Sequence, residues 1–197
     1  MKVILFFISL VIGVNQKNEF AYLSYAFVNT NFNGTLSPQS SSITWRESLS
    51  DFRKALLNVD IKSVKGYFAF PIMNPGNDIW MVADMKNATR MAPNKIVPFK
   101  ESDLDQHFSS IFAIDFRKTF EEIDIEKLAT TGLEESPELK ILPPATSKMK
   151  AVYSETKKTI ILSLITKSPE FGQYSIDYHF KISTSSEVRF THVKFNI

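Results

Sequence analysis

Near Lys148 the spacing of apolar residues shifts from about 3.6 to 2, so the chain must place its helices before a run of strands. Upstream, Trp45, Leu49, Phe52, Leu56 and Val59 recur at steps of four and three, which only a helix gathers on one side. Thr44 and Glu47 have the spacing of a capping box at its start. Asp60 can cap a short second helix with Ile61, Val64 and Phe68 on one face, and Phe70-Pro71 is expected to stop it. Residues 74–98 read as a connector punctuated by Pro75, Gly76, Pro93 and Pro98, with Ile79-Trp80-Met81-Val82 and Lys95-Ile96-Val97 as its strand-like pieces. Ser102 then begins the strongest helical pattern, with Leu104, Phe108, Ile111, Phe112, Phe116, Phe120 and Ile123 as its stripe. Gly132 and Pro137 mark the end of this region.

Downstream, Met149, Ala151 and Tyr153 share one phase, with the charges of Lys148 and Lys150 on the other, and Ser154 to Lys157 makes a turn. Thr159 to Thr166 reads as a central, well-covered strand. Tyr174, Ile176, Tyr178, Phe180 and Ile182 alternate with Ser175, Asp177, His179, Lys181 and Ser183, a strand with one apolar face. In the last strand Val188 and Phe190 keep one phase while Val193 and Phe195 keep the other. The slip near Thr191-His192 is what a β-bulge produces. Helices followed by antiparallel strands predict an α+β domain, with N-terminal helices packed on a curved antiparallel sheet, over residues 44–197.

This order of elements resembles the nuclear-transport-factor-2-like, or cystatin-like, cone fold. Phe52-Arg53-Lys54-Ala55-Leu56, Asp60, Phe70-Pro71 and the segment Phe108-Ser109-Ser110-Ile111-Phe112 are similar to patterns in uncharacterised exported bacterial proteins. The resemblance implies a cone between helices and sheet. Its members include isomerases, dehydratases and non-catalytic binding domains, so it does not choose a function.

The N-terminus bears on location. Lys2 precedes an almost continuous apolar run from Val3 to Val14, ended by Asn15-Gln16-Lys17-Asn18-Glu19. That is the layout of a signal peptide over residues 1–14, and it is shorter than the roughly 20 residues of a membrane span. The expected product is secreted or periplasmic, with no stable membrane span after processing. Residues 15–43, rich in Asn, Ser and Thr, read as an extended or partly disordered arm that Phe20, Tyr22, Tyr25 and Phe27 could dock. Asn33-Gly34-Thr35 and Asn87-Ala88-Thr89 match the glycosylation sequon.

Composition removes several chemistries. The 197 residues include no cysteine, which excludes disulfides, thiol nucleophiles and iron–sulfur clusters. With 23 basic and 21 acidic residues there is no basic excess of the kind nucleic-acid binders carry. HExxH, GxSxG and glycine-rich phosphate loops are absent from the sequence. Three histidines remain. His107 reads as a helix-surface residue, Asp177 and His179 as neighbours on a polar strand face without a third metal ligand, and His192 as a residue a bulge could turn inward. Asp84 and Arg90 flank the connector, and Trp45 reads as core.

The residues assigned to ligand contact are Trp80, Tyr153, Tyr174, Tyr178 and His192, which offer aromatic faces with polar tips. No catalytic residue, metal ligand or cofactor is assigned. The expected function is an exported non-catalytic domain that binds a small apolar ligand or a partner protein. Two alternatives stay open: a module that forms a homodimer through its sheet face, and an isomerase- or dehydratase-type enzyme with its site in the cone.

Overall fold

A computed structural model describes residues 44–92 and 95–196; the signal-peptide, arm and Asn33 readings lie outside the described residues. The described part is an α+β domain with seven α-helices and one five-stranded antiparallel sheet. The helices are α1 (Trp45–Leu57), α2 (Ile61–Lys65), α3 (Asp78–Ala83), α4 (Met85–Ala88), α5 (Glu101–Ile111), α6 (Ile114–Glu121) and α7 (Ile125–Thr131). The strands β1 (Leu133–Glu135), β2 (Thr146–Ser154), β3 (Thr159–Ser168), β4 (Gly172–Ile182) and β5 (Val188–Asn196) lie in sequence order. Among the described residues no helix is long and apolar enough to cross a membrane.

Helix α1 follows its sequence closely. The Thr44 hydroxyl accepts the Glu47 amide at 3.3 Å, while the Glu47 carboxylate accepts the Thr44 amide at 2.7 Å. Leu49, Phe52 and Leu56 on its stripe are fully buried. Val59 is not part of it: the helix ends at Leu57, and Val59 is 47% exposed with a positive φ of 55°. Helix α2 is capped by Asp60, but it stops at Lys65 before Gly66, well short of Phe70-Pro71. The Phe68 ring therefore reaches the core from a bridge to Phe190 rather than from the helix.

Two larger differences arise between residues 78 and 131. Ile79 to Val82 is helix α3, not a strand: Ile79 and Ala83, four apart, are its buried residues. A short apolar run has no period of its own, and here packing against β5 decided it. The pattern starting near Ser102 is not one helix but α5, α6 and α7. Every residue of its stripe is nonetheless at most 2% exposed. A straight helix across that stretch would span roughly 30 Å, and the break at Phe112-Ala113 lets the stripe follow the sheet. Tyr178 holds the break by donating its hydroxyl to the Ile111 carbonyl at 2.6 Å.

The core is a chain of rings. Phe52 meets Tyr67, Phe112, Phe120 and Phe180 at centroid distances between 4.9 and 6.4 Å. Phe112 continues it to Phe108, Phe116 and Tyr178. Strand β3 is central, but only Ile160, Leu162, Leu164 and Thr166 are buried; Ile161, Ser163 and Ile165 on its other face are half-buried. It is therefore covered on one side, not two. The bulge occurs where the sequence phase slips: His179 pairs with His192 and Phe180 with Phe190, which leaves Thr191 over.

Strand β5 is the sheet's edge, and its outward amides are all occupied. Val188 donates to Ser48 Oγ at 3.0 Å, Phe190 to the Tyr67 carbonyl at 2.8 Å, Val193 to Asn74 Oδ1 at 2.7 Å and Phe195 to Asp78 Oδ2 at 3.2 Å. The segment around α2 and α3 thus closes an edge that would otherwise template further strands. At the opposite edge β1 is only three residues long and carries Glu134 and Glu135.

Candidate functional site

The residues assigned to ligand contact fall into separate surroundings. Tyr178 lies in the core at 1% exposure, its ring 4.3 Å from Phe116 and its hydroxyl spent on Ile111. Burial, with the nearby Asp115 carboxylate, pushes its ionisation well above the ordinary tyrosine range. Trp80 donates its indole N–H to the Val97 carbonyl at 3.0 Å and packs edge-on against Phe99 and His107. Tyr174, half-buried near the start of β4, sits 5.9 Å from Phe195 on the helix-facing side. Asp84 accepts the Asn87 amide and side chain as the cap of α4, and Asn87 is exposed.

His192 has a partner the sequence did not reveal. Its ring stacks on that of His179 with centroids 4.1 Å apart and planes 13° from parallel. The register at the bulge puts the two directly opposite, on the face away from the helices. The Thr191 hydroxyl lies 3.0 Å from His192 Nδ1 and donates to the His179 carbonyl. His179 Nε2 is buried without a partner among the described residues. Both rings titrate below the ordinary histidine range. For His179 the cause is burial and then the His192 charge, opposed by Asp177 and reinforced by Lys194; for His192 it is burial, opposed by Asp78.

That outer face has a pattern. The pairing registers align Leu133, Val152, Ile161, His179 and His192 in one row across all five strands. Val152 and Ile161 are half-buried yet do not belong to the core cluster, so they sit on the uncovered side. A neighbouring row carries Glu135, Lys150, Ser163, Asp177 and Lys194.

Tyr153 marks a third place. Its ring stacks on Trp45 at 4.4 Å, and both border a depression of about 300 Å³ with Arg46, Glu155, Lys158 and Ser186. The period of α1 assigned Trp45 to the core, and its half-buried ring does pack against the core while also bordering this depression.

Sequence reasoning also passed over Asp115, a carboxylate only 9% exposed between the buried stripe positions of α6. One oxygen accepts the Phe116 amide at 2.9 Å, and the other faces Ser147 Oγ at 3.5 Å, itself 3.2 Å from Thr166 Oγ1. Its signal was an acid inside an apolar stripe. The cluster ties α6 to β2 and β3. Among the described residues no three His, Asp or Glu side chains converge as metal ligands.

No protein-family model, curated protein or solved structure matches the chain.

Proposed function

We propose that the chain is an exported, non-catalytic domain of nuclear-transport-factor-2-like architecture that works by protein association through the outer face of its sheet, with a second copy of itself as the partner. The apolar run behind Lys2 supports export, and the order of helices and strands supports the architecture. The observation that carries the proposal is the placement of apolar side chains. The helix-facing side is filled by interlocking rings, while the row from Leu133 to His192 crosses the other side without joining the core.

Self-association suits this face for two reasons. A row running straight across a sheet returns onto itself under a two-fold axis through its middle, which an isologous dimer requires. Four strands spaced about 4.8 Å apart and roughly 30 Å long, with the short β1 beside them, offer on the order of 600 Å² per copy, the lower end of one side of a standard specific interface. The capped β5 edge and short β1 favour a face-to-face contact over strand addition.

The test is light scattering on the full chain between about 1 and 100 µM, the range in which mass action reveals a specific dimer. Wild type is expected to dimerise. Ile161→Lys, which leaves the core untouched, is expected to be monomeric with an unchanged melting temperature. A wild-type monomer throughout would overturn the proposal, and native mass spectrometry showing a co-purified apolar molecule would return the weight to a ligand in the cone.

A further inference from the structure

The charged row of the outer face has an order of its own. Glu135, Lys150, Ser163, Asp177 and Lys194 lie beside the apolar row, one residue from each strand. From β1 to β5 the signs run negative, positive, neutral, negative, positive. Reversing the row exchanges every sign and leaves Ser163 at the centre. A surface whose charges invert on reversal is complementary to its own copy.

A two-fold axis along β3, passing between Ile161 and Ser163, lays β5 of one copy over β1 of the other and β4 over β2. Glu135 then faces the partner's Lys194, and Lys150 faces the partner's Asp177, each contact occurring twice. Facing sheets stand about 10 Å apart, a gap that a lysine and a carboxylate span from opposite sides. The same turn returns the apolar row onto itself and sets His179 and His192 over the partner's Val152 and the partner's Leu133. Other in-plane axes match charges poorly. One along the apolar row brings Lys194 against the partner's Arg189, and one along the charged row sets each charge on its own kind.

The four groups have capacity for these contacts. Lys150 and Lys194 belong to no ion pair among the described residues. Asp177 uses one oxygen to accept the Asn196 side-chain amide at 3.0 Å and keeps the other. Glu135 pairs with Lys148 at 3.0 Å near the exposed edge, where a second cation can join it. We infer that this face selects a second copy in one orientation, fixed by Glu135 with the partner's Lys194 and Lys150 with the partner's Asp177. The inference rests on the self-association proposed above and adds the orientation and the residues that choose it.

The test is a charge exchange followed by sedimentation velocity on the full chain, at about 50 mM salt and between about 1 and 100 µM. Asp177→Lys sets a lysine against the partner's Lys150, and Lys150→Glu sets a carboxylate against the partner's Asp177. Each variant alone is expected to raise the dissociation constant about a hundredfold, because the symmetry makes one reversal act at two contacts. Mixed one to one, the two variants are expected to form a heterodimer about as tight as the wild-type dimer. A chain carrying both substitutions is expected to dimerise with itself. Both positions lie outside the core, so melting temperatures should stay within about 3 °C of wild type. Single variants that still dimerise, or that stay monomeric when mixed, would overturn the orientation while a wild-type dimer keeps the self-association standing. A wild type monomeric throughout would overturn both.

Discussion

Replacing Tyr178 by Phe removes one oxygen and leaves the ring in place, so it isolates the contact that holds the α5–α6 break. The hydroxyl donates at 2.6 Å to the carbonyl of Ile111, whose side chain is fully buried. That carbonyl belongs to the last turn of α5, where a helix has no amide left to offer. Without the hydroxyl a buried acceptor loses its partner, which costs about 1–3 kcal/mol. For a domain of this size that corresponds to a fall in melting temperature of roughly 3–9 °C. Thermal and urea unfolding followed by circular dichroism measure it. Tyr174→Phe is the control, since its hydroxyl has no partner among the described residues, and its effect should stay within about 0.5 kcal/mol. Alkaline titration of tyrosinate absorbance gives a second readout. Tyr178 is held un-ionised well above the ordinary range, so its loss should leave the amplitude before alkaline unfolding unchanged. A Tyr178→Phe melting temperature within about 1 °C of wild type would refute the reasoning, as would a loss of early titration amplitude, because either places the hydroxyl in water.

Three further outcomes follow from the same structure. Asn74→Ala strips the Val193 amide of its acceptor at a residue 1% exposed; it should cost about 1–3 kcal/mol in urea unfolding and speed hydrogen exchange at Val193. Phe112→Ala opens the centre of the ring cluster and should cost about 3–5 kcal/mol, a fall in melting temperature of roughly 6–20 °C by circular dichroism. The His179–His192 stack should make stability depend on pH. Both folded pKa values lie below the unfolded value near 6.5, so the unfolded chain takes up protons first. Stability is then full above that value and declines as pH falls below it toward the folded pKa values. The melting temperature should drop between about pH 7 and 5 in wild type, with a flatter profile in His179→Gln, His192→Gln. Identical slopes would exclude the stack as the cause. The lowered carboxylates Glu47, Asp60, Glu135 and Glu138 act in a separate, more acidic window, where their protonation removes contacts to Thr44, Ser63, Lys148 and Thr146.

Helix α1 with its cap, the one-faced strand β4, the slip at Thr191 and the order of helices before sheet were all legible in the residues alone. In each case the determinant is local: a side chain is buried at the period of its own element, or a cap lies three residues from its amide. What the tertiary structure decided has no local signal. Nothing between Phe108 and Ala113 breaks a helix by composition; the break forms because Tyr178, 67 residues away, takes the Ile111 carbonyl. Ile79 to Val82 became helical because α3 packs on β5, where Asp78 meets an amide 117 residues later. The candidate sites are of this second kind. Stacking of His179 on His192 depends on strand register, and Trp45 meets Tyr153 only once α1 has docked beside the hairpins. Periodicity records which side of an element is apolar, but contacts between distant elements are chosen by packing, and those contacts set where a binding surface forms.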